Sequence, residues 1–178
     1  IIKTTLLIEL AGAAIMTPVF FRDFGANGLW MALFHSISAF CNAGFDLMGA
    51  RASFSSLTSY AEEPVISLAI MLLIIIGGIG FLTWDDIRSN RLHLHQYRMQ
   101  SKIILCTTAL LLAAPVVYFF IFEFGSLEPE KRILASLFQS VSPRTAGFNT
   151  VDLASLSEAG QCITIVLMLI GGSPGSTA

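Results

Sequence analysis

The stretch ALFHSIS at 32–38 returns as SLFQSVS at 136–142, and NAGFD at 42–46 returns as TAGFN at 145–149. The first pair is offset by 104 residues and the second by 103. A third match, IGG at 76–78 against IGG at 170–172, follows farther along. Ser36 aligns with Ser140, Ser38 with Ser142 and Asp46 with Asn149. Two apolar helices that each happen to precede a glycine would share hydropathy, but not these polar positions. The chain is therefore built on a parallel internal repeat, and the repeat sets the reading of everything around it.

The surroundings of the repeat are apolar. Of 178 residues, 54% are hydrophobic and 12% charged, with a mean hydropathy of +0.75. A soluble domain carries about a quarter charged residues, so an ordinary globule and a disordered chain are both excluded. A net charge of −2 gives no case for nucleic acid. Cys41, Cys106 and Cys162 match neither a disulfide framework nor a zinc spacing, and they read as core residues. Residues 4–21, 64–84 and 103–122 are long apolar runs, the last two with no charged residue. Each is long enough to cross roughly 30 Å of hydrocarbon as a helix. A fourth run, 159–170, meets Gly-Gly-Ser-Pro-Gly too soon to cross in one piece. The first run is no signal peptide, since no cleavage site follows it and further spans do.

Residues 85–102 carry Arg88, Arg91, Arg98 and Lys102, and with Lys3 they hold half of the ten basic residues. The positive-inside rule puts this linker in the cytoplasm and the two longer connections outside. Each outer connection contains a second apolar piece too short to span, at 29–40 and at 133–141. Such pieces are candidates for re-entrant helices, tolerated where protein or a water-filled cavity surrounds them. The expected fold is all-α and transmembrane. Its unit is span, re-entrant pore helix, filter loop and span, over residues 4–84 and again, cut short, over 103–178.

The unit suggests a chemistry. A helix that enters from outside and stops mid-membrane points its C-terminal end, with about half a negative charge, at the bilayer centre. The loop that returns outward has carbonyls free to replace water around a desolvated cation. Turning successive carbonyls inward demands conformations that L-residues resist, and Gly44 and Gly147 stand where that demand falls. The Asn42 amide or the Thr145 hydroxyl could support neighbouring carbonyls.

NAGFD (42–46), SPRTAGFNTVDL (142–153) and LIGGSPGSTA (169–178) resemble the KtrB branch of the Trk/Ktr/HKT superfamily of potassium transporters. The resemblance covers the whole chain. It implies four repeats around one pore, of which these are the second and third, so the sequence reads as a fragment. It implies potassium, with sodium as activator or co-substrate, held at the carbonyls of Asn42, Ala43, Gly44, Thr145, Ala146 and Gly147. Arg144, Phe45 and Phe148 would support the filter. The broken last span becomes a gate formed by Gly171, Gly172, Ser173, Pro174, Gly175, Ser176 and Thr177. It further implies no cofactor in this chain, a homodimer in the lipid of the bacterial cytoplasmic membrane, and a nucleotide-binding regulatory subunit of the RCK type docking on the cytoplasmic linker.

Other readings compete at particular residues. Gly171 to Gly175 could be a helix-packing site, or a G-x-S-x-G nucleophile elbow with Ser173, although the strand that motif needs is missing. A secondary transporter of a small solute would also use broken helices, but in inverted repeats. A non-transporting scaffold leaves the recurrence of the glycine loops without a reason. Arg144 is expected behind the loop, tied to backbone carbonyls or to a carboxylate, Asp46 or Asp152, and Asp46 alternatively caps its loop or draws cations to the outer mouth. Glu9 reads as a helix-pairing or snorkelling carboxylate. His35, aligned with Gln139, reads as an internal polar contact, and His93 with His95 as a solvated basic loop rather than a metal pair. Phe45 and Phe148 are expected to wedge each filter loop against its own pore helix.

Overall fold

The computed structural model describes residues 2–50, 55–91, 93–144 and 146–176. Seven α-helices carry the fold: α1 (Ile2–Phe24), α2 (Asn27–Phe40), α3 (Pro64–Gly78), α4 (Phe81–Asn90), α5 (Met99–Tyr118), α6 (Pro129–Val141) and α7 (Glu158–Ile170). No strand occurs among the described residues. The helix starts follow from local chemistry. Pro64 and Pro129 open α3 and α6 with a preset φ where no N–H partner is available anyway. Ser157 caps α7 by accepting from Gly160 N–H at 3.1 Å, and the Glu123 carboxylate accepts from the Ser157 N–H and hydroxyl. Pro115 lies inside α5 and is followed by a π-helical turn, Phe119–Glu123. The Arg132 guanidinium donates to the carbonyls of Phe120 and Ile121 in that turn and lies 4.2 Å from the Phe120 ring centre.

Among the described residues, two helices are long and apolar enough to cross a membrane, α1 and the continuous Met99–Glu123. A third crossing exists if α3 and α4 count as one. The sequence expected an unbroken span over 64–84, and that expectation is corrected: the helix breaks after Gly78 and α4 leaves at 94°. Leu82 and Ile87 are exposed on α4, and its polar end joins the basic linker. The cysteines are a second correction. Cys41, Cys106 and Cys162 are all exposed on this chain, because they stand on outward faces of the bundle, where an apolar residue also belongs in a membrane protein.

The core lies where α1, α2 and α3 meet and reaches across to α6 and the loop after it. Met16, Phe20, Phe40, Ile66, Ile70, Phe138 and Phe148 are buried in one continuous cluster. Glu9 is buried as well, in α1 against α2, and its backbone carbonyl accepts from the Ser36 hydroxyl at 2.6 Å. That geometry fits helix pairing rather than snorkelling. Within this bundle, α2 and α6 end short of the opposite side and turn directly into the two glycine loops.

Candidate functional site

The repeat is present in hydrogen bonds as well as in letters. Ser36 donates to the carbonyl of Glu9 at 2.6 Å, and Ser140 donates to the carbonyl of Leu112 at 2.7 Å. In each unit a pore-helix serine thus pins that helix to the span before it. The Ser38 hydroxyl donates to the Phe45 carbonyl at 2.7 Å, and the Ser142 hydroxyl donates to the Phe148 carbonyl. The Ala43 N–H donates to the Ser38 carbonyl at 2.9 Å, as the Ala146 N–H does to that of Ser142 at 3.1 Å. The one-residue slip has a structural cause. α2 runs on to Phe40 before its loop, whereas α6 stops at Val141 and Ser142–Arg144 close in a tighter 3-10 turn around Pro143.

Both loop glycines are left-handed, Gly44 at φ +70° and Gly147 at φ +82°, and Asn42 is positive too at φ +51°. These values turn the chain sharply after each pore helix, as glycine permits and other residues resist. The two loops lie against each other: a Cβ built on Gly44 would fall 1.9 Å from the Ala146 carbonyl oxygen. A Cβ on Gly147 would meet nothing within 4 Å. Of the expected filter residues, Asn42 and Ala146 are buried and Ala43, Gly44 and Gly147 at least partly open, while Thr145 lies outside the described residues.

The supporting residues are arranged differently from expectation. Phe148 is 1% exposed and its ring centre is 6.3 Å from that of His35, so it wedges against the pore helix of the other unit. Phe45 lies along its own α2 beside Trp30 and Ile37, but is 70% exposed. Arg144 reaches neither proposed carboxylate: it forms no ion pair among the described residues. Asp46 instead accepts from the Met48 N–H at 2.9 Å, and Asp152 from the Ala154 N–H at 2.9 Å. Both aspartates are loop caps. Arg144, whose Nε is buried without a hydrogen-bond partner among the described residues, lines a cavity of about 500 Å³ together with Gln100, Thr107 and Thr108 of α5 and with Gly171–Pro174.

His35 does more than the sequence suggested. It is fully buried, stacked on Phe20, with Nδ1 2.7 Å from the Met31 carbonyl and Nε2 3.3 Å from the Leu47 N–H. The consistent tautomer donates from Nδ1 and accepts at Nε2, which ties the outgoing end of the first loop to its pore helix. Gln139 donates to the Thr164 hydroxyl at 3.3 Å instead, tying α6 to α7. No group of three or more His, Cys, Asp or Glu side chains suited to a metal occurs among the described residues, and Lys102 donates to the His95 carbonyl in the basic linker.

The last segment is the least expected part. α7 ends at Ile170, Gly171 turns at φ +66°, and residues 171–176 run onto the break between α3 and α4. Ser173 donates from both its hydroxyl (2.7 Å) and its N–H (3.3 Å) to the Gly78 carbonyl. The Phe81 N–H donates to the Gly175 carbonyl at 3.1 Å. Ser173 has no catalytic partner in this setting. Thr177 lies outside the described residues. The signal for the α3 break was present in the repeat, since Gly77-Gly78 and Gly171-Gly172 occupy matching positions.

Residues 1–178 match one cation transport protein family, TrkH, from end to end. The chain belongs to that family. Among curated TrkH-type relatives, it is 40% identical to the potassium/sodium uptake protein NtpJ of Enterococcus hirae, with all of this chain matched to 40% of that protein. It is 39% identical to the Ktr system potassium uptake protein B of Bacillus subtilis, over 96% of this chain and 39% of that protein. The same identity holds for the Ktr system potassium uptake protein B of Vibrio alginolyticus, over 99% and 40%. The chain thus spans about two fifths of the length of these relatives. TrkH membership, with the long apolar helices, places it in the cell membrane.

Proposed function

We propose that this chain is two adjacent units, 4–84 and 103–178 joined by a cytoplasmic linker at 85–102, of a protein that takes up potassium. Dehydrated potassium is carried on the carbonyls of Asn42, Ala43, Gly44, Thr145, Ala146 and Gly147, with further loops completing the ring. The observation that carries this reading is the pair of left-handed glycine loops at the ends of two short pore helices, backed against each other. Carbonyls so placed offer a cation the ligands it loses with its water. Phe148 and His35 hold the second loop against the first, and residues 171–178 act as a gate beneath. Relatives named for potassium or potassium/sodium uptake support the ion and suggest sodium as co-substrate or activator. Relatives named as parts of a Ktr system suggest a multi-component assembly: a homodimer with an RCK-type nucleotide-binding subunit on the linker.

The test is rubidium and sodium uptake by the full-length protein in proteoliposomes, wild type against Gly147→Ser. Open space around Gly147 lets the variant assemble, so a loss of preference for rubidium over sodium in a normally assembled protein supports the filter. Unchanged selectivity and rate would make Gly147 a turn residue and remove the pore reading.

A further inference from the structure

A helix broken at membrane depth exposes carbonyl and N–H groups that cost several kcal/mol each unless something satisfies them. At the α3–α4 break the satisfaction comes from two sources. Trp84 Nε1–H reaches back from α4 to the Ile76 carbonyl at 2.9 Å, which holds the bend from within. Two further groups are met by the loop of the other unit. Ser173 covers the Gly78 carbonyl with two donors, and the Gly175 carbonyl takes the Phe81 N–H. Gly80 sits at φ +91°, and a Cβ there would stand 3.2 Å from Ser173 Oγ and 3.3 Å from Gly175. The loop thus fits the break closely on one side and faces the cavity of about 500 Å³ on the other.

The far end of α4 is also held. Asp86, buried, accepts from the Arg98 N–H at 3.1 Å and from the Ser101 hydroxyl at 2.5 Å, at the start of α5. α4 therefore connects the basic linker surface directly to residues 171–176. We propose that Ser173 is a positioning residue: its clasp on Gly78 holds the gate loop in place, and α4 is the lever through which displacement of the linker surface releases it. This rests on the reading of residues 171–178 as a gate. Withdrawing the loop into the cavity would orphan Gly78 O and Phe81 N–H, so the loop and the α3–α4 bend move together.

The experiment compares Ser173→Ala, Ser173→Thr and Gly80→Ala with the wild type in the full-length protein. It reads rubidium uptake without any regulatory partner, rubidium-over-sodium preference, and amide exchange of the peptide containing Phe81. Loss of one hydrogen bond changes an equilibrium by about fivefold. Ser173→Ala is expected to raise uptake and Phe81 exchange about that much, with ion preference unchanged, and Ser173→Thr to restore both. Gly80→Ala reads the same contact from the other side, and suffices if Ser173→Ala does not assemble. If shortening residues 171–175 raises uptake while Ser173→Ala and Gly80→Ala stay at wild type in uptake and exchange, the clasp is overturned and the gate stands. If the shortened loop also leaves uptake unchanged, the gate reading fails, and the clasp fails with it.

Discussion

The loop at 42–46 and the loop at 145–149 share a sequence pattern, a left-handed glycine and a serine that braces the carbonyl after it, yet they keep different company. The first is tied to its own pore helix through His35 and has Phe45 exposed at its edge. The second is clamped between units. Phe148 packs on His35, the Asn149 N–H donates to Ser56 Oγ at 3.1 Å, and the Asn149 carbonyl accepts from the Leu57 N–H at 2.9 Å. Equivalent letters therefore do not carry equivalent energies. What a residue costs to replace depends on which neighbour its unit leans on, and in this chain the second unit leans on the first.

The glycines break the symmetry most sharply. Gly44→Ala and Gly147→Ala both force an L-residue into the left-handed region, at roughly 1–2 kcal/mol. Only at Gly44 does the new Cβ also collide with backbone, the Ala146 carbonyl 1.9 Å away. Gly44→Ala is expected to lose roughly 3 kcal/mol or more and to cut the yield of assembled full-length protein. Gly147→Ala should lose no more than the backbone strain. Thermal melting followed by size-exclusion chromatography separates the two, and equal losses would mean that the loops do not touch.

The next contrast is His35 against Gln139. His35→Leu removes an acceptor from the Leu47 N–H and a donor to the Met31 carbonyl in a fully buried site, with an expected cost of roughly 2–3 kcal/mol. Gln139→Leu gives up one long hydrogen bond to Thr164 and should cost roughly 1 kcal/mol. Denaturation of the two variants side by side measures the gap. A larger loss at Gln139 would show that the tie between α6 and α7 outweighs the tie of the first loop to its pore helix.

These contrasts mark what could be read from the letters. The repeat, the two pore helices and the left-handed glycines were legible because each is a local demand: apolar length, a serine period, a backbone handedness that glycine meets most readily. The α3–α4 break was missed although its Gly-Gly was in plain register with the one at 171–172. A 21-residue uncharged run satisfies the length criterion for a span whether or not it bends, and the bend is stabilised by Ser173, 95 residues away. The pairing of Arg144 with Asp46 or Asp152 is not found either, although the loop cap at Asp46 was among the readings the sequence offered. Charge pairing was inferred from proximity in sequence, but Asp46 and Asp152 spend their carboxylates on N–H groups two residues on. Phe45 and Phe148 align perfectly, and only the packing of one unit on the other decides that one is buried and its twin is not.

Ser36 and Ser140 test the opposite proposition, that some of the repeat is energetically alike. Both are fully buried and both donate to a carbonyl on the preceding span, at 2.6 and 2.7 Å. Ser36→Ala and Ser140→Ala should each cost about 1 kcal/mol and agree within a few tenths, because removal leaves the same kind of helix carbonyl with its backbone partner still in place. A difference of more than about 1 kcal/mol in urea or thermal unfolding would show that the spans are not packed alike after all.

The smallest effect belongs to the ion pair that ties α6 to the turn ahead of α3. Lys131 at the start of α6 meets Glu62, ahead of α3, at 2.8 Å, and so bridges the two units where the Arg22–Glu63 pair at 2.8 Å stays within the first. Both side chains are largely in solvent, so the pair contributes little and should weaken in high salt. Glu62 raises the Lys131 pKa above 10.5, so its contribution is fully present below that value and is lost as pH rises through the folded pKa. Stability should therefore be flat with respect to this pair between about pH 6 and 9 and fall only in strong alkali. Lys131→Ala is expected to lower stability slightly at low salt and by nothing measurable at about 1 M salt. A loss that persists at high salt would mean that the lysine's methylene stem, packed beside Leu134 and Ile133, joins the units by burial rather than by charge.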